Sequence, residues 1–197
     1  MGNRPKYIQF ADPVVEQICI ANFSSDGIGV TYEDAAGPFP ESLQSGLFNG
    51  NTQIVSFEEL QYFTGYALQG NRGLTTDLCN GAPNLRRVVC PSGIFINARM
   101  FSRCTNLEYL EFLGDPQISY DDLLLSYNSV GVTIVFRGVN PPSFRRECFW
   151  GVSNAEVYIP YSSDHSVLSA YQTALAYLLN DTTNQLYELN PDGTIPT

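Results

Sequence analysis

The sequence predicts an α+β chain: a short solenoid of repeated strand units, with an N-terminal helical cap and a C-terminal capping helix. Three observations predict it. Short apolar runs recur evenly in the back half; taking Val88, Leu110, Ile134 and Val157 as equivalent, the intervals are 22, 24 and 23 residues. Helical punctuation is concentrated in about residues 7–66, ahead of those runs. A long amphipathic stripe follows the last run, as the open end of a stacked core requires. The chain therefore divides into a helical cap over residues 1–70 and a repeat unit over 71–197.

The elements follow in order. Asp12-Pro13 supplies a cap and a proline at the first helical position, after which Val14, Val15, Ile18 and Cys19 share a face. Gly37-Pro38-Phe39-Pro40 and Phe48-Asn49-Gly50-Asn51 are turn-like. Ser56, with Glu59 three residues later, reads as a capping box, and Phe57, Leu60 and Phe63 form an apolar stripe behind it. Strands are expected within 84–89, 106–112, 132–136 and 155–160. The turn chemistry at Cys79-Asn80-Gly81 and Phe101-Ser102-Arg103-Cys104 gives Cys104 a packing role. Ser163 or Asp164 caps a helix whose Val167, Leu168, Tyr171, Leu175, Leu178 and Leu179 share a stripe. Gln185–Leu189 adds a short strand, and Pro191-Asp192-Gly193 turns into the tail.

Composition narrows the function classes. In 197 residues, 44% are hydrophobic and 15% charged, which is too apolar for a disordered chain. Asp plus Glu number 20 against 10 Lys plus Arg, a net charge of -10, and Lys6 is the sole lysine. Such a surface repels phosphate backbones and anionic lipid, so nucleic acid and membrane insertion are not expected partners. A basic partner patch would instead associate in a salt-sensitive way. The opening MGNRPKYIQF has no apolar run and reads as no secretory signal. Cys19, Cys79, Cys90, Cys104 and Cys148 are odd in number and lack a CxxC pair, which argues for buried thiols over disulfides or zinc.

Nothing in the chain asks for catalysis. His165 is the sole histidine, and the adjacent Asp164, His165 and Ser166 cannot converge as a triad does. It is expected at the surface in the first turn of a helix. There is no GxSxG, HExxH or GxxxxGK motif. The paired carboxylates Glu33-Asp34, Glu58-Glu59 and Asp121-Asp122 point apart as sequence neighbours, so none is a dyad. No catalytic residue, metal ligand or cofactor is assigned, and the ligand-binding residues stay unknown.

The phrase Ala98-Arg99-Met100-Phe101-Ser102-Arg103-Cys104-Thr105-Asn106-Leu107-Glu108-Tyr109-Leu110 resembles the repeat unit of the BspA-like leucine-rich repeat family. Val139-Asn140-Pro141-Pro142-Ser143-Phe144, Ala155–Pro160 and Val167–Tyr171 resemble that family's closing cap more closely. The resemblance covers roughly residues 74–180. It departs from the pattern at Ala82, which stands in place of the repeat cysteine, and at Leu123-Leu124-Leu125. The fold it implies is a leucine-rich-repeat solenoid. Phe10–Pro13 with Gly29–Ala36 is similar to a block that looks like a degenerate EF-hand or dockerin loop. There Asn22, Ser24, Asp26 and Glu33 fall at calcium-loop positions with the Ile28 carbonyl, but only Asp26 and Glu33 would face the cation with charge. A metal-free turn is the expected state.

The resemblance implies a non-enzymatic protein-recognition and attachment module of a bacterial or phage surface, engaging a protein or glycan ligand. The alternative is a bacteriophage virion component (tail, baseplate or capsid accessory protein) that binds neighbouring virion proteins. Arg86, Glu108 and Thr133 are candidates for an outward binding face, and Tyr109 either for an anchor in it or for a place in the core or at the rim.

Overall fold

The four apolar runs form strands because each places two β-compatible side chains inward and two outward over four residues. In the structure, a computed structural model, they are β2 (Arg87–Cys90), β4 (Tyr109–Phe112), β6 (Thr133–Phe136) and β7 (Glu156–Ile159). Residues 4–38, 46–67, 77–96, 99–118, 124–127 and 131–197 are described. The sequence readings at Phe39, Pro40, Ala98, Asp121, Asp122 and Leu123, and the division after residue 70, lie outside them. The remaining elements are α1 (Pro13–Phe23), α2 (Tyr32–Ala36), β1 (Ser56–Phe57), α3 (Thr64–Ala67), β3 (Phe95–Ile96), β5 (Gln117–Ile118), α4 (Ser166–Ala174), α5 (Ala176–Leu179) and β8 (Gln185–Glu188). Single 3-10 turns span Glu58–Tyr62 and Arg146–Phe149. Among the described residues, no helix is long and apolar enough to cross a membrane.

All pairings in the main sheet are parallel, in the order β1-β2-β4-β6-β7-β8. Val88 pairs with Leu110, Leu110 with Ile134, and Ile134 with Val157, so the positions equated by spacing stack in register. The architecture nevertheless corrects the expected leucine-rich-repeat solenoid. The sheet is open and α/β-like, with β1 and β8 as its borders, and does not coil. The reason lies in the connections. Even spacing holds only from β2 to β7, whereas β1 and β2 are joined through 58–86 and β8 follows the helical crossover α4–α5. The expected capping helix is thus a crossover inside the sheet, and a strand comes after it. Among the described residues, the return strands β3 and β5 pair only with each other. Equal intervals alone are what any in-register parallel sheet with similar crossovers produces.

The inward face is a continuous apolar core. Val88, Cys90, Leu110, Phe112, Ile134, Phe136, Val157 and Ile159 are all fully buried there. Tyr171 of α4 closes it, its ring 5.3 Å from that of Phe136 and its hydroxyl donating to the Gly138 carbonyl at 2.9 Å. Gly138 has no room for a side chain: a Cβ there would sit 2.0 Å from Asp115 Oδ1 and 2.6 Å from the Asp115 nitrogen. All five cysteines are buried thiols. Cys104 Sγ donates to the Cys79 carbonyl at 3.0 Å, and burial pushes its thiol up to about 12. It packs; it is not poised to react.

At the front, α1 begins as expected. Asp12 Oδ1 accepts the amides of Val14 and Val15 at 2.8 and 3.3 Å, with Pro13 next in line. Val15 and Cys19 are buried, and Val14 and Ile18 pack beside them. The capping box at Ser56 does not form. Ser56 lies in β1, and the following 3-10 turn has no side-chain cap. Asp12 explains why: its Oδ2 takes the Val55 and Ser56 amides at 2.6 and 3.2 Å, drawing that segment into the sheet. Phe57, Leu60 and Phe63 are all buried, so the stripe survives the change of element. At the other end, His165 precedes α4 in the left-handed region (φ 56°). Asp164 Oδ1 accepts the Ser166 amide at 3.1 Å, and the helix breaks at Leu175 into α4 and α5. Tyr171, Leu175 and Leu178 are buried, and Val167, Leu168 and Leu179 pack against them.

Glu59 is a buried carboxyl with one satisfied oxygen: Oε1 accepts the Ala11 amide at 2.9 Å, and among the described residues Oε2 has no partner. Burial raises its pKa first, the Ala11 bond opposes this, and the charges of Glu58 and Asp12 add to the rise. Between the ordinary carboxylate pKa and this raised one, the folded chain holds a proton that the unfolded chain has shed. Stability therefore falls as pH rises through that window. Glu59→Gln is expected to remove this slope. In thermal melts, the variant's midpoint should gain on the wild type's as pH rises from the ordinary carboxylate range through the raised one.

Candidate functional site: the outer face of the sheet

Alternation sends the other strand residues outward in two registered rows. The first runs Ser56, Arg87, Tyr109, Thr133, Glu156, Gln185, and the second Val89, Glu111, Val135, Tyr158, Tyr187. At roughly 4.8 Å per strand the face is about 24 Å across. All-parallel sheets are ordinarily covered on both sides. Here the outer apolar cluster of Val135, Tyr158 and Leu189 is joined by Tyr109 and by Ile195 of the returning C-terminal segment, and among the described residues no helix contributes to it.

Charge and aromatic groups on this face are tied together. The Arg87 guanidinium lies 4.4 Å from the Tyr109 ring centroid, and its Nε meets Glu58 Oε1 at 3.0 Å. Tyr109 donates its hydroxyl to Glu111 Oε2 at 2.8 Å. The other oxygen of Glu111 receives Arg137 Nε at 2.6 Å, and Arg137 also donates to the Gly193 carbonyl. Tyr158 donates to Glu156 at 3.2 Å and stacks on Tyr187, whose hydroxyl bonds Gln185, with centroids 5.3 Å apart. Burial pushes the Tyr109 phenol up to about 12, helped by its bond to Glu111 and by that residue's charge. Burial and Glu156 raise Tyr158 likewise. Both phenols are therefore neutral donors near neutral pH. The face offers rigid aromatic area whose polar tips are already oriented, which lowers the ordering cost of binding.

The residues named from sequence fall at different depths. Thr133 and Tyr109 lie in the first row. Arg86 and Glu108 precede their strands as an exposed ion pair at 2.8 Å, at the edge of the face. Tyr158, Tyr187 and Glu111 were not singled out. Their signal was present as Tyr109-x-Glu111, Glu156-x-Tyr158 and Gln185-x-Tyr187, each a same-face pair at strand spacing.

Among the described residues, the other candidate constellations do not assemble. Ser166 Oγ bonds Asp164 at 2.8 Å, while the exposed His165 turns its Nδ1 to Glu188 Oε2 at 3.0 Å. Glu59 is buried against Ala11, and Asp34 forms a capping box with Thr31. In the loop resembling a calcium site, Asn22 donates to the Ile18 carbonyl and Ser24 to the Gly29 carbonyl. Asp26 accepts the Ile28 amide, the Tyr7 hydroxyl at 2.8 Å and Lys6 Nζ at 3.1 Å, which hold its carboxyl well below the usual range. The Asp26 oxygens are thus spent within the chain. Among the described residues, no group of three His, Cys, Asp or Glu side chains could hold a metal ion. No family model, curated protein or solved structure matches the chain.

Proposed function

We propose that this chain is a non-enzymatic recognition and attachment module that engages a protein partner, at a bacterial or phage surface, through the outer face of its sheet. The observation that supports it most is the pair of registered rows, in which Arg87, Tyr109, Glu111, Tyr158 and Tyr187 lie on one face. Tyrosine and arginine are the residue types that dominate binding patches. The likeness of residues 139–171 to the closing stretch of BspA-like proteins supports the attachment role. The net charge of -10 favours a partner with a basic patch, and binding should weaken as salt is added.

The test is a double variant, Arg87→Glu with Tyr109→Ala, whose half-exposed side chains leave the inner core intact. Binding to host cells, or to the virion proteins with which the wild type copurifies, is expected to fall roughly tenfold or more. Equal binding by variant and wild type would sink the reading. Copurification with capsid or tail proteins at fixed stoichiometry would assign the face to virion assembly.

A further inference from the structure

A second site stands apart from the sheet face. A cleft of ≈ 680 Å³ opens between the turn preceding β7 and α5, lined by Arg146, Glu147, Trp150, Ser153, Tyr177 and Asp181 among others. Its size is that of an ordinary small-ligand pocket, roughly 300–1,000 Å³. Three aromatic side chains gather in and beside it while keeping most of their contact with water: Trp150 is 60% exposed, Tyr177 58% and Tyr127 51%. Scattered singly they would need no account, but grouped they mark a contact surface.

The platform is built by the turn ladder. The amide of Gly50 donates to the Asn80 carbonyl, that of Gly81 to Ser102, that of Arg103 to Ser126 and that of Tyr127 to Trp150, so equivalent turn positions stack. Each of these four positions, and Gly151 after them, has positive φ. Glycine meets that demand without cost, whereas Tyr127 holds a bulky side chain at φ 60°. Strain of this kind persists where the surroundings hold it, and it clusters at binding sites. Here its result is plain: the Tyr127 ring stacks on that of Trp150, with centroids 6.0 Å apart and planes at 26°. The Arg103 guanidinium lies 5.9 Å from the Tyr127 ring centroid.

The geometry points to a saccharide-binding site, with one sugar ring lying on the Trp150 indole beside Tyr177. A sugar presents a flat, weakly apolar C–H face edged by hydroxyls that both donate and accept. The cleft offers the matching set: a supported ring face, with Arg146 as donor and Glu147 and Asp181 as acceptors around it. A cationic ligand fits less well. Near-parallel rings do not box a cation, the Arg103 guanidinium already lies over the Tyr127 ring, and Arg146 lines the cleft. The cleft shares no residue with the outer sheet face, and this inference does not rest on that reading.

Trp150 is the only tryptophan, so its emission reports on this cleft alone. The full chain is titrated with tetrasaccharides of glucose, of N-acetylglucosamine and of mannose. A saturable change in emission with at least one of them is expected. Tyr177→Ala should weaken that binding roughly tenfold or more. Tyr127→Gly should leave the thermal midpoint unchanged or higher and still weaken binding, a combination that a purely structural role for Tyr127 would not produce. The Arg87→Glu, Tyr109→Ala chain should bind the same sugar as the wild type does, which keeps failure here distinct from failure at the sheet face. No saturable response to any of the three sugars would overturn the proposal. So would a response to an oligolysine peptide alone, or full affinity in Tyr177→Ala.

Discussion

A Phe136→Ala chain is expected to lose about 3–5 kcal/mol of unfolding free energy, the largest effect of any single change considered. Phe136 is fully buried on β6, and its ring joins three separate parts of the chain. It stacks on Phe112 of β4 at 5.2 Å and 10°, meets Phe144 of the following segment edge-on at 5.7 Å, and lies 5.3 Å from Tyr171 of α4. Truncation removes these contacts together and leaves a void that neighbours held by strand register cannot refill. Phe136→Leu keeps most of the volume and should cost far less, about 1.5 kcal/mol or below. Urea unfolding followed by far-ultraviolet circular dichroism and by Trp150 emission measures both. A loss under about 1 kcal/mol in the alanine variant would mean that the inner face is not packed as described.

Asp12→Ala should cost about 2–4 kcal/mol, from an exchange of four hydrogen bonds for none. One oxygen caps α1 and the other holds the Val55 and Ser56 amides, so a single carboxylate fixes both the helix start and the entry into β1. Burial opposes its ionisation, but the amides of Val55, Ser56, Val14 and Val15 outweigh burial and lower the pKa. The sign follows. The unfolded chain takes up this proton first as pH falls, so the stabilisation is complete above the ordinary carboxylate range and is lost as pH drops through the folded value. Wild type and Asp12→Ala should therefore converge in strongly acidic solution. Asp12→Asn keeps one acceptor and should fall between them. An alanine variant as stable as the wild type at neutral pH would show that the shared carboxylate is not the joint it looks to be.

That same carboxylate shows where sequence reasoning ran out. Four strands and their mutual register were legible, because each run carries its own alternation and the intervals agree. The start of α1 was legible because capping is local. Ser56 misled for the opposite reason: its expected local cap lost to an acceptor 44 residues away. The solenoid misled because spacing reports register and not closure, and the connections before β2 and after β7 depart from the period. On the outer face of the sheet, Tyr109 and Thr133 could be read from strand parity. Tyr158 and Tyr187 follow from the same i, i+2 rule applied to Glu156 and Gln185. The aromatic cleft was not legible, since Trp150 and Tyr177 come from an irregular turn and a helix that only the crossover brings together.

The two borders of the sheet are unequal. On the β1 side the strand is two residues long and the amides of Val55 and Ser56 already donate to Asp12, so little main chain is left to template another strand. The β8 side offers four residues, Gln185–Glu188, which among the described residues pair only toward β7. Any growth by main-chain pairing, whether with a partner's extended peptide or with a second molecule of this chain, would thus be polar: it would extend from the C-terminal border and stop at the N-terminal one.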